Sequence, residues 1–309
     1  MIYEFQVGTS VGGSSLIEEF QNRLRWIKQR GFTLDIEIRE NQESGIDLIR
    51  FCLEGKNQDR VFRDEDIRHI FRHQLAESLA EHIVVSWEEK LLWKEVARSH
   101  RKSSPTEKEA ILEKARDILH NSKNSESLNL LLSFGRKTRI IQRLLEHIKD
   151  HGHLDLEGFI TFCLQDFLTE LKYAVELAFE EKKNEKEYSD FVSLLRYFVD
   201  SQFSKMEEVN LMVKSDGLFY LWDGSGVPIE EKYINYYMDE MLTNEVSLDD
   251  VLVSILITIA PLHIILHNTG AAGSSEPVMM IRNVFGDRIS ECPGCERCHP
   301  QIREQHKGS

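Results

Sequence analysis

Hydrophobic and polar residues alternate with a period of two in three short segments near the N-terminus. The segments read IYEFQVG, TLDIEIRE and IDLIRFCLEG, and this alternation predicts β-strands. Between the first two, residues 15–29 carry apolar positions at helical spacing. Ser15 and Glu18 form an S-x-x-E pattern typical of a helix start. Residues 1–58 are therefore predicted to form a strand–helix–strand–strand segment.

The period changes to that of an α-helix in the next region, residues 59–203. Apolar residues that share one predicted helix face recur there, at Ile67, Phe71, Leu75, Leu79, His82 and Ile83. Ser104, Pro105 and Glu107 mark a new helix start. Further helices are predicted at 128–149, 156–181 and 188–203. We interpret the charge run EEKKNEKE as a solvated helix end.

Strand patterns return after residue 203. VNLMVK and LFYLWD flank Ser-Asp-Gly, which predicts a hairpin, and helices are predicted at 229–241 and 248–259. The strand LHIILH, a helix at 277–285 and the strand RISEC follow. The predicted fold class is α+β and mostly helical. A central helical bundle is joined to the N-terminal segment and to a small mixed α/β sheet domain at 204–290, followed by a cysteine-rich tail at 291–309.

Composition and charge narrow the classes of partner. The chain has 309 residues, of which 41% are hydrophobic and 29% are charged. These fractions are typical of soluble globular proteins. A net charge of −14 argues against bulk nucleic-acid binding. The basic segment RKTRIIQR, residues 136–143, is interpreted as a helix surface facing the protein's own carboxylates. No export signal precedes the first strand, and VLVSILITIAPLHIILH is interrupted by Pro261. We therefore expect no membrane span and a cytoplasmic location.

The segment ECPGCERCHP contains three of the five cysteines, Cys292, Cys295 and Cys298. In the reducing cytoplasm such a cluster indicates metal or redox chemistry rather than disulfides. A two-residue gap lets both sulfurs reach one ion, and Pro293 and Gly294 suit the tight turn that this requires. The sequence therefore predicts a zinc site formed by the three thiolates.

The fourth ligand of this site stays open at the level of sequence. His299 and His306 are the nearest candidates, and the pair His151 and His153 is a rival.

Two other prosthetic groups and a metal-free thiol loop are the alternatives to zinc. An iron–sulfur cluster is the alternative, and Cys52 or Cys163 would then have to supply the missing thiolate. The C-x-x-C-H pattern also matches haem attachment, but that reaction follows export and is discounted.

Two loops rich in glycine and serine lie between a predicted strand and a predicted helix. GTSVGGSS nearly matches a phosphate-binding loop but has Ser14 where the lysine belongs. HNTGAAGSSEPV is the second such loop. The candidate anion-binding residues are Gly13, Ser14, Ser15, Gly273, Ser274 and Ser275. Ordinary loop and capping roles account for these residues equally well.

Three long strings carry a resemblance to a known family. They are EGFITF at 157–162, EKEYSDFVSLLRYFVDSQ at 185–202 and NVFGDRISECPGCERC at 283–298. With them the chain resembles the YtxC-like family, sporulation proteins of endospore-forming Gram-positive bacteria. The resemblance implies a cytoplasmic, sporulation-associated protein without an assigned activity. It also implies that the cysteine cluster belongs to the family's own sequence.

These observations favour a non-enzymatic interaction or regulatory module with a zinc-binding cysteine knuckle and a protein partner. Two alternatives remain at this level. One is an enzyme or sensor that binds a phosphorylated ligand through the Gly/Ser loops, and the other is an iron–sulfur or redox sensor. The oligomeric state and the partner's identity are not specified by the sequence.

Overall fold

The structure is a computed structural model that describes residues 3–39, 45–55, 63–120, 126–213, 218–229, 248–267 and 275–298. The chain forms two compact units, residues 1–183 and 184–309. The sequence predicts region boundaries after residues 58, 203 and 290, where the predicted secondary structure changes. Those three boundaries remain predictions. The α+β, mostly helical class is confirmed by the elements described below.

The first unit contains a four-stranded sheet. Its strands are β1 (Tyr3–Thr9), β2 (Phe32–Arg39), β3 (Asp47–Gly55) and β4 (His153–Asp155), in the order β2-β3-β1-β4. β3 pairs antiparallel with β1 and β2, and β4 pairs parallel with β1. The alternation predicted for the first three strands is confirmed, because Phe5, Val7 and Phe51 are fully buried.

The helices of this unit share one hydrophobic core with the sheet. They are α1 (Gly13–Arg23), α2 (Asp64–His82), α3 (Glu88–Ser99), α4 (Pro105–His120), α5 (Glu126–Asp150), α6 (Leu156–Cys163) and the first part of α7 (Gln165–Ser201). A π-helical turn, Ile83–Trp87, joins α2 to α3. The predicted apolar face of α2 is confirmed, since Ile67, Phe71, Leu75 and Leu79 are buried in the same core as the strands.

The basic segment on α5 faces carboxylates of its own unit, as predicted. Arg136 is 3.1 Å from Glu88 and 2.7 Å from Glu170. Both Arg136 and Glu88 are buried. Arg143 lies 3.2 Å from Asp166. These ion pairs neutralise the charge of the segment within the protein.

The second unit contains a separate sheet built from β5 (Glu208–Val213), β6 (Phe219–Asp223), β7 (His263–His267) and β8 (Ile289–Glu291). Its order is β6-β5-β7-β8, with β5 and β6 antiparallel and the β5–β7 and β7–β8 pairs parallel. The predicted hairpin of β5 and β6 is confirmed. The helix predicted at 229–241 lies almost wholly outside the described residues.

Period-two alternation gives this sheet two different faces. One face packs against α8 (Leu248–Ile259) and α9 (Glu276–Phe285), through residues such as Val209, Leu211 and Ile264. Asn210, Trp222 and His267 lie on the opposite face and are also buried. The second face therefore holds polar and aromatic side chains. Within the described part of the chain, no helix is long and apolar enough to cross a bilayer.

Candidate metal centre

Two residues of the candidate site lie at the ends of two neighbouring strands. His267 is the last residue of β7, and Cys292 follows the last residue of β8. The two strands are parallel, with Leu266 opposite Glu291, and the Cys292 N–H donates to the carbonyl of Leu266 at 2.9 Å. Because α9 connects β7 to β8 as a crossover, their carboxyl ends meet at one edge of the sheet. His267 and Cys292 are consequently side by side.

The segment Cys292–Cys298, which we call the knuckle loop, brings the other two thiols back to this edge. Gly294 has a φ of +113°, a backbone conformation that glycine adopts without strain. The Cys298 N–H then donates to the carbonyl of Cys295 at 2.9 Å and closes a tight turn. All three sulfurs thereby point toward the same region.

The four donor atoms have the spacing of a single tetrahedral ion. The Cys295 and Cys298 sulfurs are 3.7 Å apart, and those of Cys298 and Cys292 are 3.9 Å apart. Nδ1 of His267 lies 3.4 Å from the Cys295 sulfur and 3.5 Å from that of Cys298, and all four atoms fall within 4.8 Å of one another. With zinc–sulfur bonds of about 2.3 Å and a zinc–nitrogen bond of about 2.0 Å, a tetrahedron requires roughly 3.8 Å between sulfurs and 3.5 Å between sulfur and nitrogen.

A buried amide fixes which nitrogen of His267 faces the sulfurs. Nε2 of His267 is 2.9 Å from Oδ1 of Asn210. Nδ2 of Asn210 donates to Oε1 of Glu208 at 2.9 Å and to the carbonyl of Asp223 at 3.2 Å, so the amide oxygen must face the histidine. His267 therefore carries its proton on Nε2 and presents the lone pair of Nδ1 to the three cysteines, as metal-binding histidines do.

Local electrostatics favour a neutral imidazole at this position. Burial lowers the pKa of His267, the guanidinium of Arg297 lowers it further, and Glu208 opposes them. A neutral ring is the form of histidine that binds a metal ion.

The three thiols influence one another because their sulfurs are so close. Burial raises the pKa of Cys295, but hydrogen bonds from the backbone amides of Cys298 and Arg297 and with the other two thiols outweigh it and lower that pKa. The amide of Gly294 favours ionisation of Cys292, yet burial and the two neighbouring thiols together raise the pKa of Cys292. The thiolate of Cys295 is thus favoured at the expense of that of Cys292, and a shared cation would remove that conflict.

An aromatic residue and an arginine tie the knuckle loop to β6. The Trp222 ring lies 4.8 Å from the His267 ring, and the Arg297 guanidinium lies 4.8 Å from the centre of the Trp222 ring. Arg297 also donates to the carbonyl of Gly226 at 3.2 Å. Gly226 has a φ of +85°, which favours glycine, and a Cβ there would lie 2.6 Å from the Arg297 guanidinium and displace it.

Comparison with known proteins places the chain in a family. The sequence profile of the YtxC-like family matches residues 73–290, which is more than half of the chain. This chain belongs to the YtxC-like family. The resemblance seen in the three sequence strings is therefore confirmed.

A YtxC-like relative and the solved structures add detail. The chain is 29% identical over 193 residues to the uncharacterized protein YtxC of Bacillus subtilis strain 168. That alignment covers 60% of this chain and 65% of the relative, so the chain spans slightly less than two thirds of the relative's length. No solved structure matches the chain significantly. The profile match includes His267 but ends at residue 290. The resemblance implied that the cysteine cluster belongs to the family's sequence, and the profile match does not reach that cluster.

The structure brings together the three cysteines singled out in the sequence and adds a fourth residue that sequence reasoning missed. Among the described residues His267 supplies a fourth donor atom beside the three sulfurs; His299 and His306 lie outside the described part of the chain, and their role stays a prediction. The rival pair belongs to the first unit, where His151 follows α5, His153 begins β4, and both are exposed; neither is one of the four residues grouped here. The thiolates considered for an iron–sulfur cluster, Cys52 and Cys163, also belong to the first unit.

A signal for His267 was present in the sequence. The predicted order strand–helix–strand over LHIILH, residues 277–285 and RISEC describes a crossover, which joins parallel strands. The first strand ends in histidine and the second in cysteine.

The candidate anion loops are located only in part. The first lies between β1 and α1 as predicted, but α1 begins at Gly13 and the Ser15 hydroxyl donates to the carbonyl of Gly12 at 2.8 Å. A lysine does reach this loop, since Lys90 donates to the Ser10 hydroxyl at 3.0 Å.

The second loop precedes α9. Gly273 and Ser274 lie outside the described residues, and Ser275 is the N-cap of α9. Anion binding at either loop stays a prediction.

Proposed function

We propose that this chain binds one zinc ion through His267, Cys292, Cys295 and Cys298, and that the ion is structural. The observation that carries the proposal is the spacing of the four donor atoms, with sulfurs 3.7 and 3.9 Å apart and Nδ1 3.4 and 3.5 Å from two of them. Three cysteines and one histidine are a common ligand set for structural zinc.

The ligand set favours zinc over other metals. Thiolates with one imidazole in a tetrahedral arrangement suit zinc, whereas calcium and magnesium require oxygen ligands. The spacing also favours one ion over an iron–sulfur cluster, because all four donor atoms lie within 4.8 Å of one another. Iron in place of zinc is the competing outcome.

The number of protein ligands supports a structural role rather than a catalytic one. Catalytic zinc usually keeps a position open for water or substrate, and here the protein supplies all four ligands. The ion would hold the knuckle loop against the sheet edge and so fix a surface formed by the loop, Trp222 and Arg297. We therefore propose a non-enzymatic module that acts through a protein partner, in the cytoplasm of sporulating cells as the family resemblance implies.

The test compares Cys295→Ser with a matched control, Cys163→Ser. Both positions hold half-buried free cysteines, but Cys163 lies in the first unit. Each full-length protein is purified without oxygen, and zinc and iron are measured per chain together with the melting temperature. We expect one zinc in the wild type and in Cys163→Ser. Cys295→Ser should lose the ion and melt several degrees lower, because metal binding contributes to folding.

Three outcomes would contradict the proposal. They are wild-type protein without zinc, wild-type protein with iron in its place, and Cys295→Ser with unchanged zinc content. The cellular part is tested by deleting the gene in a spore-forming host and restoring either version. Heat-resistant spores should recover with Cys163→Ser and not with Cys295→Ser.

A further inference from the structure

The two sides of the candidate zinc site differ in their access to solvent. His267 is buried beneath Trp222, with only 6% of its surface exposed. Cys292, Cys295 and Cys298 are each partly exposed, as are Gly294 and most other residues of the knuckle loop. The cysteine side of the site therefore faces solvent, whereas the histidine side is buried.

Two of these sulfurs are placed for disulfide formation. The Cys295 and Cys298 sulfurs are 3.7 Å apart in a C-x-x-C turn closed by one backbone hydrogen bond. A disulfide needs about 2.05 Å between sulfurs, so the atoms must approach by less than about 2 Å. This movement requires side-chain rotation within a surface turn and leaves the β7–β8 pairing in place.

We propose that peroxide oxidises Cys295 and Cys298 to a disulfide, which expels the zinc ion and releases the knuckle loop from the sheet. This inference rests on the proposed zinc site. It assigns that site a regulation, namely loss of the ion in response to peroxide.

The chemistry balances with hydrogen peroxide as the oxidant. One thiolate attacks a peroxide oxygen, the O–O bond breaks, and a sulfenic acid and one hydroxide ion form. The second thiolate attacks the sulfenic sulfur, the S–S bond forms, and a second hydroxide leaves. Two thiolates lose two electrons and one peroxide gains them. Only His267 and Cys292 then remain as ligands, too few for a structural zinc site.

Loss of the ion would change the surroundings of β6, because Arg297 contacts that strand. This residue lies between the two oxidised cysteines, stacks on Trp222 and donates to the carbonyl of Gly226. A disulfide between Cys295 and Cys298 rearranges the turn that positions Arg297. Trp222, now 8% exposed, would lose the covering guanidinium of Arg297. Oxidation therefore uncovers an aromatic residue on β6, which is an outer strand of its sheet.

The experiment adds hydrogen peroxide to the zinc-loaded, full-length protein and follows three signals. A metal indicator reports released zinc, peptide mass spectrometry locates disulfides, and fluorescence reports Trp222 by difference from Trp222→Phe. We expect about one zinc released per disulfide formed, a Cys295–Cys298 disulfide, and recovery after reduction and added zinc. Cys163→Ser should behave as the wild type.

Cys163 also provides a reference within the same chain. A metal-bound cysteine is held as the thiolate, which is the form that attacks peroxide, and Cys163 is not one of the four residues grouped at the proposed site. We expect the knuckle-loop cysteines to be oxidised about tenfold faster than Cys163. Zinc that is retained while Cys163 is oxidised would overturn the inference, and so would zinc release without a Cys295–Cys298 disulfide. Protein that contains no zinc before peroxide is added would refute the proposed function itself.

Discussion

Replacing Asn210 by leucine tests whether the buried amide prepares His267 for metal binding. In the wild type, Oδ1 of Asn210 accepts a hydrogen bond from Nε2 of His267 at 2.9 Å, and both residues are buried. Leucine has a similar size and no acceptor. The variant therefore removes the group that fixes the tautomer of His267 and leaves all four metal ligands in place.

Two independent effects set the expected loss of zinc affinity in Asn210→Leu. A buried N–H without a partner costs about 1–3 kcal/mol, and tenfold in affinity corresponds to about 1.4 kcal/mol. Removal of such outer partners of metal-bound histidines typically weakens metal binding by about 10–100-fold. We therefore expect Asn210→Leu to weaken zinc binding by about 10–100-fold. Loss of a direct ligand should be more severe.

The assay is a competition for zinc between the protein and a chelator of known affinity, without oxygen. Asn283→Leu is the matched control, because Asn283 is exposed on α9 of the same unit, and among the described residues its side chain makes a single long hydrogen bond, 3.3 Å, to Tyr188. That control should bind zinc as the wild type does. Circular dichroism confirms that each variant is folded before affinities are compared.

Equal zinc affinity in Asn210→Leu, Asn283→Leu and the wild type would refute the reasoning about the histidine tautomer. A complete loss of zinc in a folded Asn210→Leu protein would also contradict it, since the amide is argued to orient a ligand and not to bind the metal.

Two further predictions concern the first unit. Arg136→Met leaves the buried Glu88 without its arginine, while His120 still contacts its carboxylate at 2.6 Å. We therefore expect the free energy of unfolding in urea to fall by about 2 kcal/mol, with zinc content unchanged. A change below about 1 kcal/mol would mean that the pair behaves as a surface pair. Burial lowers the pKa of His82, and the opposing hydrogen bond to the carbonyl of Val11 is the smaller effect. As the pH falls through about 6.5, the ordinary pKa of histidine, the unfolded chain therefore takes up a proton before the folded chain does. The stability advantage of the wild type over His82→Gln should therefore shrink as the pH falls from about 8 toward 5, and a constant difference would contradict this.

Local patterns predicted the elements that are long and periodic. The apolar stripe on α2 was readable because helical spacing and burial agree at every position. The start of α4 was readable because Ser104 and Glu107 satisfy each other's backbone N–H groups, at 2.8 and 3.2 Å. Such signals depend only on residues close together in the chain.

Two differences from the sequence prediction have physical causes. The charge run at 180–187 was interpreted as a helix end, yet α7 continues through it from Gln165 to Ser201. Glutamate and lysine are good helix formers, and the run contains neither glycine nor proline. β4 was not predicted because its three residues are too few to show a period, and it exists through pairing with β1.

The candidate metal site was predicted where its ligands are close in sequence and missed where they are not. The C-x-x-C-x-x-C spacing identifies three cysteines because a short turn must bring their sulfurs together. His267 lies outside this spacing and reaches the cluster only because β7 and β8 are neighbours in the sheet. Strand order is a property of the whole unit, so local periodicity does not specify it.

X-ray absorption at the zinc edge of the anaerobically purified protein tests the central claim most directly. We expect one zinc per chain, surrounded by three sulfur atoms at about 2.3 Å and one nitrogen atom at about 2.0–2.1 Å. Protein without zinc, or a zinc shell in which oxygen or further nitrogen atoms replace the sulfurs, would contradict it.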